Sequence, residues 1–163
     1  MDGDELFRLW GQLDSCDPCR DVDYAKLESE PPGRPFLPPK DAALLFIGEA
    51  PPSSGGFWKC GNGDELRLRL LPLLPEWPDL DPDTGAALEW FVEAGYFFIQ
   101  AMKWPLKDSY SYQSASSRRA LQHATACHLG EEIQLINPRG IVALGRAAWD
   151  GCSILSEKHE LVA

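Results

Sequence analysis

The fold is decided by the stretch Ala42-Ala43-Leu44-Leu45-Phe46-Ile47-Gly48, an unbroken apolar run that ends in a glycine. A strand that is apolar on both faces is typical of the centre of a parallel sheet, because helices cover such a sheet on either side. Apolar runs at 96–102 and 141–144 predict two further strands. A short fourth strand is predicted to begin at Leu161.

Helical patterns lie around and between these runs. Segment 4–13 has its apolar residues on one helical face, Asp81-Pro82 is typical of a helix start, and Gly95 predicts that helix's end. A further helix is predicted to end at Asn137, and another to begin after Gly145. The alternation predicts a three-layer α/β/α fold with a central, mostly parallel sheet of three to four strands. The whole chain, 1–163, is predicted to be one domain.

Composition and charge narrow the choice of partners. The chain has 163 residues and a net charge of -10, which repels nucleic acid at long range. Binding to DNA would therefore need a local basic face. The residues that could supply one are Lys59, Arg67, Arg69, Lys103, Lys107, Arg118 and Arg119. No apolar run is long enough to span a bilayer, and the acidic N-terminus argues against a signal peptide. We expect a cytoplasmic monomer that does not bind membranes.

Three places in the sequence are candidates for a ligand site. Parallel sheets bind ligands outside the carboxyl ends of their strands. Here those ends are Gly48 to Pro51, Gln100 to Lys103, and Gly145-Arg146. The sequence therefore places any active site around the loop from Gly48 to Phe57 and the residues that meet it.

The residues of this edge have suitable chemistry. Glu49 supplies a carboxylate where general bases often lie, Phe57 an aromatic face for stacking a planar ring, and Gln100 an amide that can read a base edge. A plainer interpretation of the same residues is also open. In it, Glu49 accepts a hydrogen bond from the backbone and Phe57 fills the core.

A resemblance to a known family enters at these residues. Leu45-Phe46-Ile47-Gly48-Glu49-Ala50-Pro51 resembles the first signature of the uracil-DNA glycosylase superfamily, in its iron–sulfur branch. The segment 138–148 resembles a later strand and turn of that branch. Cys16-Asp17-Pro18-Cys19 and Cys127 lie where that branch carries cluster ligands. The resemblance implies a pocket for an everted base in DNA.

The resemblance also implies roles for individual residues. Glu49 would be catalytic and would act alone, because Ala50 stands where many relatives have an aspartate. Gln100 stands where relatives read uracil with asparagine, and Phe57 would stack on the base. The residues that this predicts to bind substrate are Gly48, Ala50, Pro51, Phe57 and Gln100.

An iron–sulfur cluster is the cofactor that the resemblance implies. Its ligands would be Cys16, Cys19 and Cys127. The family's third cysteine is replaced by the run Met102-Lys103-Trp104-Pro105, so Cys60 or Cys152 would have to supply a displaced fourth ligand. Idle thiols are the alternative.

Two functions from different classes follow. The first is a DNA glycosylase-like enzyme that hydrolyses the N-glycosidic bond of a damaged or deaminated base such as uracil. The second is a catalytically inactive member of the same fold that binds a nucleotide, a nucleic acid or a protein. The family's His-Pro-Ser triplet does not occur here, and the last histidine, His159, is followed by Glu160. This, the incomplete set of cluster ligands and the acidic charge favour the second function, whereas the Gly48 to Phe57 loop and Gln100 favour the first. A redox function for Cys16 and Cys19 is disfavoured, because the pair does not lie between a strand and a helix.

Overall fold

A three-stranded parallel sheet forms the centre of the molecule. The computed structural model describes residues 3–13, 37–52, 56–103 and 110–157. The strands are β1 (Leu44–Gly48), β2 (Tyr96–Gln100) and β3 (Ile141–Ala143), in the order β2-β1-β3. Both pairings are parallel. The predicted α/β fold with a central parallel sheet is therefore confirmed, and the strand predicted at Leu161 lies outside the described residues.

Six α-helices surround this sheet in the described part of the chain. They are α1 (Gly3–Leu13), α2 (Glu65–Leu70), α3 (Gly85–Glu93), α4 (Ala115–Ala124), α5 (Gly130–Ile136) and α6 (Arg146–Glu157). A 3-10 turn (Leu71–Leu73) follows α2, and a π-helical turn (Thr125–Leu129) joins α4 to α5. None of these described helices is long and apolar enough to cross a membrane.

Both faces of the sheet are covered. Side chains alternate between the two faces along a strand. Phe46 and Phe98 lie on one face, where Phe46 meets Phe91 of α3 and Phe98 meets Phe57. Leu45 and Ile47 point to the other face, towards α6, and neither is exposed to solvent. The apolar run of β1 is thus buried between helical layers, as its composition predicts.

The start of α3 differs from the prediction. The sequence predicts a start at Asp81-Pro82, but Thr84 is the N-cap, and its hydroxyl accepts a hydrogen bond from the Ala87 N–H at 3.3 Å. Asp81 instead accepts from the backbone N–H of Asp83 in a local turn. A capping side chain nearer the apolar face therefore determines where the helix begins, while its end just before Gly95 agrees with the prediction.

The predicted helix before Asn137 is one continuous rod made of three segments. Its middle is the π-helical turn, where the N–H of Gly130 donates to the carbonyl of Thr125. The α4 part of the rod packs on α6, and the α5 part packs on α1. Gly151 of α6 lies close to the turn, since a Cβ at this glycine would be 3.2 Å from Leu129 Cδ2. Asn137 ends the rod in a left-handed conformation, with φ of 49°.

Candidate functional site

The carboxyl ends of all three strands meet at one edge of the sheet. Gly48 lies directly opposite Gln100 in the register of β1 and β2. On the other side of β1, the N–H of Leu144 donates to the carbonyl of Ile47 at 2.8 Å. The predicted places after β1, β2 and β3 therefore form one continuous edge, with Glu49 next to its centre.

Glu49 is held in place by a backbone amide from a distant part of the chain. Its Oε1 accepts a hydrogen bond from the N–H of Tyr110 at 2.7 Å, and its own carbonyl accepts from Met102 at 2.9 Å. The side chain is half-buried. Its second oxygen, Oε2, accepts no hydrogen bond from the described residues. The carboxylate is thus oriented by one oxygen, and the other is available for chemistry.

Gly48 and Pro51 shape the backbone of this edge. Both residues are buried, and Ala50 between them is half-buried. A Cβ at Gly48 would lie 2.7 Å from Phe98 Cζ, which is closer than such contacts occur. The chain can therefore pass over Phe98 only where residue 48 has no side chain. These residues fix the position of Glu49, whereas their predicted contact with substrate stays a prediction.

Gln100 lies at the end of β2, close to Gly56. Gly56 is the last residue of the glycine-rich loop, which comprises residues 51–56 of the sequence. A Cβ at Gly56 would lie 3.6 Å from Gln100 Nε2 and 3.0 Å from Pro52 Cδ. Residue 56 also has a φ of 70°, in the region that favours glycine. The Gln100 amide is half-buried and makes no hydrogen bond within the described ranges. It retains the donor and the acceptor that reading a base edge requires.

The Phe57 ring is packed in the aromatic core of the protein. It is 2% exposed and stacks on Phe98, with the ring centroids 4.3 Å apart and the planes 18° apart. Trp58 meets it edge-on at 5.3 Å. One face of the ring is thus occupied by another aromatic side chain, so the predicted stacking on a base does not fit this position. The plainer interpretation, that Phe57 fills the core, describes it.

A buried arginine holds the segment after the glycine-rich loop. The Arg67 side chain is fully buried and donates to the carbonyls of Phe57 and Lys59. It also forms an ion pair with Asp83, whose carboxylate accepts from the N–H groups of Gly61 at 3.0 Å and Gly63 at 3.1 Å. Sequence reasoning missed this cluster, because its members come from separate parts of the chain.

The predicted basic face is reduced by burial. Arg67 and Lys103 are both buried, so neither can contact DNA. Lys103 forms a buried ion pair with Glu132, which also accepts a hydrogen bond from Trp10 Nε1 at 2.8 Å. Lys107 lies outside the described residues. The basic candidates that stay exposed are Lys59, Arg69, Arg118 and Arg119.

His128 is buried next to this ion pair. Burial lowers its pKa to about 4, and the positive charge of Lys103 acts in the same direction, while Glu132 opposes them. The imidazole is therefore neutral at pH 7. The sequence did not indicate that His128 is buried beside an ion pair, because a lone histidine on a helix has no pattern that predicts this.

A second polar cluster lies beside Glu49 and was not predicted from the sequence. The hydroxyl of Tyr110 donates to Asp150 Oδ2 at 3.0 Å, and Arg146 Nε donates to Asp150 Oδ1 at 2.7 Å. Burial raises the pKa of Tyr110 to about 12, and the hydrogen bond to Asp150 adds to the shift, so the phenol stays protonated. Arg146 is the one member of this cluster that the sequence singled out, because it follows β3 at the carboxyl edge.

The described residues do not by themselves assemble a cluster site. Cys127 is exposed, with its Sγ 3.7 Å from His123 Nδ1, and Cys60 is exposed as well. Burial raises the pKa of Cys152, which disfavours the thiolate that binds metal. No group of three His, Cys, Asp or Glu residues in the described ranges could hold a metal ion. Cys16 and Cys19 lie outside these ranges, so the iron–sulfur cluster stays a prediction.

Comparison with known proteins adds no relative. No protein-family model, curated protein or solved structure matches the chain. Two observations therefore bear on the function of the chain. They are the geometry at the carboxyl ends of the strands and the resemblance of the segment around Gly48.

Proposed function

We propose that the chain is a DNA glycosylase-like protein that hydrolyses the N-glycosidic bond of a damaged or deaminated base such as uracil. The observation that carries the proposal is the position of Glu49. It follows the central strand of a parallel sheet, one of its oxygens is fixed by Tyr110, and Gln100 lies on the adjacent strand end. The resemblance to the superfamily rests on the same residues.

The two carboxylate oxygens of Glu49 have different roles in this proposal. With Oε1 fixed by the Tyr110 N–H, Oε2 can accept a proton from a water molecule. The water oxygen bonds to C1′ of the sugar, and the bond from C1′ to the base nitrogen breaks. The base leaves with the electron pair, and Glu49 passes to it the proton that it took from the water, which regenerates the carboxylate. The negative charge of Glu49 also stabilises the positive charge that develops on the sugar.

Gln100 supports recognition of the base in the same proposal. Its amide can donate to a carbonyl oxygen of a base and accept from a ring N–H. Gly56 lies close to this amide, since a Cβ built at residue 56 would be 3.6 Å from Gln100 Nε2. Glutamine is longer than the asparagine of the relatives, so we expect a pocket of different depth and a base preference that is not confined to uracil.

The proposal is tested by single-turnover excision. The chain is mixed with single- and double-stranded DNA that carries uracil, hypoxanthine or xanthine, beside Glu49→Gln and the matched control Glu93→Gln. Glu93 is exposed at the end of α3, just before the amino end of β2, and therefore lies at the opposite end of the strand from the carboxyl edge. We expect Glu49→Gln to lower the rate by roughly 100-fold or more, since a general base contributes about that factor, and Glu93→Gln to leave it unchanged. Circular dichroism verifies that the variants are folded.

A catalytically inactive binding module is the second candidate. The burial of Phe57 favours it, because the ring that would hold a base against the catalytic group is packed on Phe98. Absence of cleavage on every substrate, with folded protein, would replace the first proposal by this one. The visible absorption of the purified protein tests the predicted cluster in the same samples. We further propose that the chain works as a monomer in the cytoplasm.

A further inference from the structure

An open groove lies on the surface between α4, α6 and residues 110–112. Its volume is about 340 Å³, and its walls carry Tyr112, Arg118 and Arg146. Tyr110 connects the groove to the candidate site. Its backbone N–H holds Glu49, and its hydroxyl donates to Asp150 in the groove wall. Tyr110 thus links Glu49 to the groove, while Glu49 itself is not part of the lining.

The groove contains two arginines whose charge is directed to solvent. The Arg146 side chain is 63% exposed and uses Nε to bind Asp150, which leaves its terminal nitrogens without a hydrogen bond to the described residues. Arg118 is exposed on the opposite wall. Arg146 and Asp150 form an ion pair that is neutral as a whole, so Arg146 offers an anion the hydrogen bonds of its terminal nitrogens and not an uncompensated charge. Glu157 at the far end of α6 is the other carboxylate of the lining.

An aromatic ring accompanies these charges. Tyr112 is 53% exposed, and the guanidinium of Arg146 lies over its ring, 5.2 Å from the centroid. Exposed aromatic rings beside arginines are what proteins use to bind single-stranded nucleic acid, since bases stack on the rings and phosphates pair with the guanidinium groups. Because the lining also carries Asp150 and Glu157, the groove has no net charge, and a strand would be held by hydrogen bonds from the two guanidinium groups and by stacking on Tyr112.

We propose that the groove binds the DNA strand that flanks the everted nucleotide. Arg118 and Arg146 contact its phosphates, and Tyr112 packs against a neighbouring base. The inference rests on the proposed function in taking DNA as the ligand and in placing the everted base at Glu49. It adds a strand-binding surface that the residues of the Gly48 loop do not supply.

Binding of an undamaged strand tests the groove without requiring catalysis. A short fluorescein-labelled single strand is titrated with the full chain at several salt concentrations, and anisotropy gives the dissociation constant. The variants are Arg118→Ala, Arg146→Ala and Tyr112→Ala. The matched control is Arg139→Ala, because Arg139 is exposed and precedes β3 at the opposite edge of the sheet. Arg146→Lys keeps the charge and removes the planar group that lies over Tyr112.

We expect each arginine-to-alanine variant to bind roughly tenfold more weakly at low salt. Log K decreases with log salt, and this dependence should become less steep by about 0.7 for each phosphate that is no longer neutralised. Tyr112→Ala should weaken binding with an unchanged slope, because stacking releases no counterion. Arg139→Ala should bind like the parent. Arg146→Lys should keep the slope and reduce the affinity in part.

Three results of the binding assay would each overturn the inference by themselves. The first is that no strand binds, the second is that Arg139→Ala weakens binding as much as the groove variants, and the third is that a deoxynucleoside monophosphate competes for the groove while the strand does not. The excision assay separates this inference from the proposed function. Strand binding that depends on the arginines, without excision, would reject the glycosylase activity and retain the groove as a binding surface. Excision that is abolished by Glu49→Gln, with full strand binding in the arginine variants, would reject the groove and retain the glycosylase activity.

Discussion

Among single residues, Gly48 is the most constrained position of the candidate site. The aromatic ring of Phe98 lies where its side chain would be, and Phe98 in turn stacks on Phe57. A methyl group at residue 48 therefore cannot be accommodated without displacing two packed rings or the strand that leads to Glu49.

Gly48→Ala should destabilise the protein by about 2 kcal/mol, as expected for overpacking in a core. The free energy of unfolding in urea measures the effect. Gly11→Ala in α1 is the matched control, since nothing lies within 4 Å of its Cβ position, and it should stabilise the helix by about 0.5–1 kcal/mol. Equal stability of Gly48→Ala and the parent would show that the ring of Phe98 moves aside easily.

Residue types alone could not give the roles of several side chains. Phe57 and Arg67 are of the kinds that bind bases and phosphates, and both are buried by contacts with residues far along the chain. Glu49 was placed correctly at its strand end because the apolar run fixes where β1 stops. The contact between Glu49 and Tyr110 was not predicted, because no local sequence pattern relates residues so far apart along the chain.

Among the elements, the segment between the glycine-rich loop and α2 depends on one ion pair. Arg67 projects back from α2 into the core, and Asp83, just before α3, compensates its charge. Asp83 also accepts hydrogen bonds from the N–H groups of Gly61 and Gly63. The pair thus connects two helices to the chain that carries Phe57.

Asp83→Ala should lower the free energy of unfolding by about 3 kcal/mol, because it leaves a buried guanidinium uncompensated. The control is Glu65→Ala, which breaks the exposed pair with Arg69 and should cost less than about 1 kcal/mol. Thermal and urea unfolding give both values. A decrease no larger than that of the control would mean that the carbonyls of Phe57 and Lys59 are sufficient partners for Arg67.

Elements were predictable where their signal is local. Continuous apolar runs identified all three strands of the described sheet. The buried-strand argument fits β1 best, since four of its five residues are buried, whereas β3 lies at the sheet edge and is only partly buried. Helix boundaries were less predictable. The start of α3 depends on which of several capping side chains is free to bond, and Asp83 is occupied by Arg67. The π-helical turn depends on packing against α6 and has no local signature comparable to an apolar run.

The stability of the whole molecule should depend on pH through His128. Its pKa is lowered from 6.5 to about 4, so between these values the unfolded chain binds more protons than the folded one. Stability is fully present above pH 6.5 and falls as the pH falls towards 4. A shift of this size corresponds to about 3 kcal/mol.

Urea unfolding at several pH values checks this expectation. His128→Gln should flatten the dependence between pH 6.5 and 4, because the charged groups that face the histidine, Lys103 and Glu132, then have no titrating neighbour in that position. His123→Gln removes the last and smallest of the contributions to this shift, so it should change the dependence only slightly. An unchanged profile in His128→Gln would assign the acid sensitivity to other groups.

The π-helical turn has a consequence for how the chain can vary in length. The bond from Gly130 to Thr125 spans one residue more than an α-helical bond does. Removal of one residue between them would leave a regular α-helix, with the buried faces of α4 and α5 still directed at α6 and α1. Removal of a residue within either helix would instead rotate everything beyond it by about 100°. The rod thus carries one spare residue, at the exposed side of the turn, and this is where its length can change while its packing is kept.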